Sequence, residues 1–248
     1  MIKILDLHHR YPDGTHTLKG INLTILKGEF VLICGPNGSG KTTLTRIMGG
    51  LLKPTAGRVC INGLDTTKKS VEVRRLVGMV FQDPEAQIVG ETVGEDVAFG
   101  PENMGLSSEG ISERVNHALR VMGLEKLSEK PCYLLSGGEK RRLAIAGVLA
   151  MDPEIILFDE PFSYLDYSGT REVLHHMMRL HREGRTLVVT THDVEKVITH
   201  VSRIVVIQGG EMKAAGPPEA VVSELSRFGV RPPCYTLLGQ ERISWLND

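Results

Sequence analysis

The segment GPNGSGKT, positions 35 to 42, matches the pattern G-x-x-x-x-G-K-[ST] and lies between a strand-like run, FVLIC, and a helix-compatible run, KTTLTRIMGG. Glycines 35, 38 and 40 let the backbone turn so that its N–H groups point inward, and the helix that follows adds its positive N-terminal end. Donors arranged in this way suit phosphate oxygens. Gly35, Pro36, Asn37, Gly38, Ser39, Gly40, Lys41 and Thr42 are therefore candidate contacts to a nucleoside triphosphate. Lys41 would reach the β- and γ-phosphates, the Thr42 hydroxyl would ligate a bridging Mg2+, and Thr43 would support the α-phosphate side.

Bound nucleotide needs chemistry, and IILFDE at 155 to 160 is an apolar strand ending in two adjacent carboxylates. Asp159 can hold magnesium through water, and Glu160 is placed to orient and polarise the water that attacks the γ-phosphate. A strand end facing solvent would carry the same letters, but the phosphate loop upstream favours the chemical reading.

The elements that position these groups read as α/β with a largely parallel central sheet, because short β-rich runs alternate with helical stretches. The closely spaced runs IKILDL, LKGINLTI, FVLICG and RVCING suggest an antiparallel flap beside that sheet. From about 91 to 150 the composition turns helical, with Ile111, Val115, Leu119 and Met122 at helical spacing, which predicts an inserted helical lobe. After Pro153 the alternation resumes with IILFD, a helix over 169–183, LVVTTH, a helix near 194–201, and RIVVIQGGEM. The main domain is expected to span 1–225, and 226–248, with Pro232 and Pro233 and no clear period, to be a short appendage.

The 248 residues, 41% hydrophobic and 24% charged, suffice for a substantial core. Twenty-nine basic against thirty acidic side chains leave no global field for nucleic acid or an anionic membrane. The first residues do not read as a secretory signal, and the longest apolar runs, such as AIAGVLAM, fall well short of the roughly 18 residues a membrane span needs. The expectation is an intracellular chain linked to a membrane only through partners. Cys34, Cys60, Cys132 and Cys234 form no C-x-x-C pair and read as structural or incidental.

Together with LSGGEKRR at 135 to 142 and His192, the loop and carboxylate pair give a chain that resembles the ATP-binding cassette ATPases over residues 1 to about 225. The resemblance implies ATP and Mg2+ as ligands and a second ATPase subunit, identical or a paralogue. Ser136, Gly137, Gly138 and Glu139 would close over the ATP held by that subunit, the following helix offering its N-terminus. It further implies that Tyr11 stacks on adenine, that Gln82 touches magnesium and attacking water, and that Asp166 serves communication between sites. His192 would contact the γ-phosphate. Glu139 replaces a commoner glutamine, and Phe162 and Tyr164 replace small residues, which puts the packing around Asp166 in question.

The stretch QDPEAQIVGETVGEDVAFGPENMG is similar to a segment of energy-coupling factor importers, with Gln87 as its second glutamine and Val89 where an aromatic is common. That likeness implies an integral membrane coupling protein, a substrate-binding membrane subunit, a place on the cytoplasmic face of the membrane, and cobalt or nickel ahead of a vitamin as cargo. A soluble ATPase acting on DNA or ribosomes would need a long coiled-coil insertion or a second cassette, and neither is present; an exporter ATPase is opposed only by the 82–105 segment. His175, His176 and His181 lack a tight i, i+4 pair and read as a solvated helix face. Lys140, Arg141 and Arg142 read as serving a subunit interface or balancing phosphate charge, not as a nucleic-acid site.

Overall fold

The computed structural model describes residues 1–239 and 244–246. Its strands, in chain order, are β1 (Ile2–Arg10), β2 (His16–Ile25), β3 (Phe30–Cys34), β4 (Ala56–Ile61), β5 (Leu64–Asp65), β6 (Val77–Val80), β7 (Ile155–Asp159), β8 (Thr186–Thr191), β9 (Arg203–Gln208) and β10 (Glu211–Gly216). The principal helices are α1 (Lys41–Met48), α2 (Ser70–Leu76), α3 (Val93–Asn103), α4 (Ser108–Met122), α5 (Gly137–Ala150) and α6 (Tyr167–Arg182). One sheet has the order β2-β1-β4-β5 and is antiparallel; the other has the order β10-β9-β3-β8-β7-β6 and is parallel except for β10.

The run FVLIC, expected in the flap, forms the third strand of the parallel sheet instead. Its alternation shows why: Phe30, Leu32 and Cys34 enter one apolar cluster, and Val31 and Ile33 enter the other. A strand buried on both faces belongs inside a covered parallel sheet. Strand β7 divides in the same way, Ile156 and Phe158 to one side, Ile155 and Leu157 to the other. The antiparallel sheet and α1 cover one face; α5 and α6 cover the opposite one.

Helices α3, α4 and α5 pack on one another within the 91–150 region. Thr92 and Glu95 cap α3 reciprocally, while Ser107 starts α4 and Gly123, at φ 64°, ends it. The predicted helix at 194–201 is absent. Only a 3-10 turn forms at Val194–Lys196. Val194, Val197, Ile198 and Val201 are buried at the spacing of a helix, but this β-branched run loses side-chain freedom in one and buries itself as a turn.

Within the expected appendage a short helix forms at Cys234–Leu238, and Tyr235, Trp245 and Leu246 pack against the main core. The Trp245 ring lies 5.4 Å from that of Tyr167, at the start of α6. Positions 240–243 and 247–248 of that appendage lie outside the described residues.

For function the register matters most. Cys34 is paired with Thr191 and Asp159 with Thr190, so β3, β7 and β8 end level with one another. The loops after these strands carry the phosphate-loop glycines, Glu160 and His192. Ligands of open α/β sheets bind at this carboxyl edge.

Candidate nucleotide site

The loop after β3 is shaped by glycines that admit no side chain. A Cβ on Gly35 would sit 1.9 Å from the Ile207 carbonyl, and one on Gly40, at φ 106°, would sit 2.8 Å from the Thr17 carbonyl. Lys41 is 6% exposed, and its Nζ donates to the carbonyls of Gly35 (2.8 Å) and Pro36 (3.0 Å). Burial lowers the Lys41 pKa, and the carboxylates of Glu160 and Asp159 oppose that shift. The ammonium is therefore held charged-side inward, where phosphate oxygens could replace neutral carbonyls.

Asp159 is buried, and its Oδ1 accepts from Thr42 Oγ1 at 3.2 Å and from Thr190 Oγ1 at 2.5 Å. Glu160 follows at φ 47°, an uncommon value for a glutamate, held by its own N–H donating to the Thr190 carbonyl at 2.9 Å. Its Oε2 accepts from Thr191 Oγ1 (2.9 Å), and its Oε1 accepts from the His192 backbone N–H (3.0 Å) and faces His192 Nδ1 (2.9 Å). A carboxylate oxygen only accepts, so the ring must donate from Nδ1, leaving Nε2 uncommitted among the described residues.

Thr17, Asn37, Gly38, Ser39, Gly40, Lys41, Thr42, Thr43, Gln82, Glu160 and His192 together line a cleft of about 360 Å³. Gln82 also borders a neighbouring hollow with Thr42, Arg46, Asp159 and Tyr164. Tyr11 reaches the site by its hydroxyl, 3.1 Å from Thr43 Oγ1, with its ring edge-on to His9.

These groups fit a magnesium nucleotide. Among the described residues no three His, Cys, Asp or Glu side chains gather as a metal cage. Magnesium needs none, since it takes one or two protein oxygens together with phosphates and water. Thr42 and Asp159 provide those oxygens side by side. The hydroxyls of Thr17 and Ser39 are buried without a partner at the same cleft, as expected of a cradle that awaits polar atoms.

Ser136, Gly137, Gly138 and Glu139 are not among the residues lining the cleft. Ser136 caps α5: its Oγ accepts from the Glu139 N–H at 3.3 Å, and Glu139 Oε2 accepts from the Ser136 N–H at 2.7 Å. Glu139, where glutamine is commoner, is thus the returning half of a capping box, and that N–H holds its carboxyl below the usual range. A Cβ on Gly137 or Gly138 would meet nothing within 4 Å, so this helix start is open to approach.

Asp166 caps α6, accepting from the Gly169 N–H at 2.7 Å and from Ser168 Oγ at 3.0 Å, which lowers its pKa. The aromatic departures leave that cap intact. Phe162 turns into the core at 3% exposure, and Tyr164, at φ 63°, stands 90% exposed.

The basic run after the signature is partnered within the chain: Lys140 pairs with Glu85, Arg142 with Glu172 at 3.1 Å, and Arg141 is 1% exposed. The expectation of a solvated histidine face on α6 needs correction, since the three histidines are not all solvated. His181 Nε2 bonds the Gly28 carbonyl at 3.0 Å, and burial lowers the His176 pKa to about 4, with His175, Arg142 and Arg179 adding repulsion. Thr190 and Thr191, which in the sequence show only as strand residues, also belong to the site through Asp159 and Glu160. Two hydroxyls at the end of an otherwise apolar, buried strand must find acceptors, and that was the available signal.

A family model described as ABC transporter matches residues 18–163. Curated relatives include the energy-coupling factor transporter ATP-binding protein EcfA of Methanocaldococcus jannaschii, 46% identical over 91% of this chain and 82% of the relative. The EcfA of Methanosarcina acetivorans is 44% identical over 97% of this chain and 89% of the relative. Among solved structures, cbiO1 of Clostridium perfringens, described as part of the ABC transporter complex cbiONQ, superposes with a TM-score of 0.82 at 38% identity, covering 96% of this chain and 98% of that one. A dimeric ATP-binding cassette in a post-hydrolysis state with ADP and Pi gives 0.79 at 34% identity, over 88% and 99%. No helix among the described residues is long and apolar enough to cross a membrane. With this agreement of fold, site and sequence, the chain belongs to the ATP-binding cassette transporter family, as a magnesium-dependent ATPase of the energy-coupling factor type.

Proposed function

We propose that two such cassettes sandwich two ATP molecules and power import through an energy-coupling factor transporter, with cobalt or nickel as cargo. The observation that carries the two-chain site is a separation. The cleft gathers Lys41, Thr42, Glu160 and His192, with Asp159 bonded to Thr42 at its edge, whereas the open, capped start of α5 at Ser136 to Glu139 lies outside it. A second chain, identical or a paralogue, would bring its own Ser136, Gly137, Gly138 and Glu139 to the γ-phosphate.

Lys41 and the backbone N–H groups of Asn37 to Gly40 bind phosphates in the cleft, and Tyr11 and Thr43 hold the adenine and α-phosphate side. Thr42, Gln82 and Asp159 would hold the magnesium, which neutralises charge developing between the phosphates. Glu160 orients and accepts a proton from the attacking water; its ring of donors keeps the carboxylate pointing at that water. His192 contacts the γ-phosphate through Nε2, and Asp166, at the exposed start of α6, relays between sites. Residues 1–225 act as the motor, and 226–248 as an addition to it.

Membrane partners, a coupling protein and a substrate-binding subunit, would dock on the groove beside Gln82. Leu51, Val71, Val89 and Phe99 line it with 48%, 56%, 61% and 52% of their surface exposed. A contiguous apolar groove of this kind suits a partner helix. That docking places the chain at the cytoplasmic face of the membrane. The reading of a cassette that works within a larger transporter draws support from the neighbour cbiO1, described as part of the ABC transporter complex cbiONQ.

Tagged protein purified from its own membranes should bring polytopic partners with it, and vesicles carrying the complex should take up labelled Co2+ or Ni2+ with ATP. Phe99→Asp should abolish co-purification with an unchanged melting profile, since the ring is not part of the core. A wholly soluble, partner-free ATPase would contradict the importer reading; vitamin uptake in place of metal uptake would overturn the cargo alone.

A further inference from the structure

Arg141 is the largest fully buried side chain among the described residues, 1% exposed; its bonded partners are two carbonyls, and the nearby Asp83 carboxylate only partly offsets the burial of its charge. Its Nη1 donates to the Phe81 carbonyl at 2.5 Å and its Nη2 to the Gln82 carbonyl at 2.6 Å, while Nε is buried without a partner. Desolvating a guanidinium for two neutral acceptors is costly, so the arrangement calls for an explanation beyond stability.

The geometry of those two carbonyls is informative. The Phe81 carbonyl belongs to the peptide plane before the Gln82 Cα, and the Gln82 carbonyl to the plane after it. Each peptide is rigid, so fixing both planes fixes the direction in which the Gln82 side chain leaves the backbone. Arginine suits the task because its two Nη donors lie in one plane with set spacing, which a lysine ammonium lacks. The same stretch is tied to α5 twice more. Gln87 accepts from the Phe81 N–H through Oε1 and donates through Nε2 to the Ala144 carbonyl, each at 3.0 Å. Lys140 pairs with Glu85. Arg141 and Ala144 are three residues apart and share a helix face, so residues 81–87 ride on the helix that begins at Ser136.

We propose that Arg141 is a positioning residue for Gln82: its guanidinium clamps the two peptide planes flanking Gln82 and sets where that amide meets the nucleotide cleft. This rests on the reading that Gln82 acts at the magnesium and attacking water. Arg141 itself does not line the cleft.

Steady-state ATPase kinetics of the purified full chain, with Gln82→Ala, Arg141→Gln, Arg141→Lys and the Gln82→Ala/Arg141→Gln double variant, test the assignment. Gln82→Ala should lower kcat about tenfold, as for loss of one oriented polar contact. Arg141→Gln should lower kcat to a similar degree, with the ATP KM within about twofold, and the double variant should fall no further than the lower single one. Arg141→Lys, retaining the charge and the fold but not the fork, should fall between wild type and Arg141→Gln; it carries the comparison if Arg141→Gln does not fold. Wild-type kcat in folded Arg141→Lys, or losses that multiply in the double variant, would show a merely structural role and overturn the proposal. Wild-type kcat in Gln82→Ala would instead remove Gln82 from the chemistry, and the proposal with it.

Discussion

Glu160 and His192 meet twice across the ends of adjacent parallel strands: one carboxylate oxygen takes both the backbone N–H and the ring Nδ1 of His192, at 3.0 and 2.9 Å. The backbone contact fixes the position of the carboxylate, and the ring contact fixes the tautomer of the imidazole. Neither residue can turn freely without the other.

Loss of the ring should therefore cost turnover more than binding. His192→Ala removes one of the donors that aim Glu160 and the Nε2 assigned to the γ-phosphate, so kcat should fall about 10²-fold with ATP affinity nearly unchanged. Equilibrium binding of a fluorescent ATP analogue beside single-turnover hydrolysis checks this; equal losses in both would show that His192 merely holds the nucleotide.

Thr190 makes a separate, second contribution through Asp159. Thr190→Val preserves the shape of the buried strand and deletes the hydroxyl that donates to Asp159 Oδ1 at 2.5 Å. The Mg2+ concentration for half-maximal hydrolysis should rise about tenfold, for the net worth of one hydrogen bond to a charged group. ATP binding in the presence of a chelator should not change. Titration of activity with Mg2+ reads the difference.

His176 gives the fold a pH dependence. Its pKa drops to about 4 in the folded chain from about 6.5 when unfolded, so the unfolded state binds more protons between those values. Its contribution is fully present above pH 6.5 and is lost as pH falls toward 4, on the order of 1 to 2 kcal/mol after allowing for partial solvent screening. His176→Leu should flatten that part of the curve of melting temperature against pH, and scanning calorimetry across pH 4 to 7 would show it.

Much of this site was legible because its chemistry is written in contiguous strings. GPNGSGKT, IILFDE and LSGGE each carry their structural context with them, so Lys41, Thr42, Asp159 and Glu160 could be placed before any fold was known. What escaped was set by tertiary packing. Strand β3 looks like its flap neighbours in composition, and only its burial on both faces assigns it to the parallel sheet. Arg141 looks like one of a basic run serving an interface or balancing phosphate charge, and only its bonds to the carbonyls of residues 81 and 82 show how it is buried. The run from 194 to 201 has helical spacing, and its β-branched residues settle as a turn.

In the proposed dimer, ATP is held between the loop of one chain and the signature residues of another. Glu160→Gln should leave binding intact and stop hydrolysis, so light scattering after gel filtration with Mg2+ and ATP should give twice the monomer mass, and Ser136→Arg added to it should restore the monomer. A Glu160→Gln chain that turns over at the wild-type rate, or that stays monomeric at saturating ATP, alone and mixed with extracts containing its paralogues, would contradict the account.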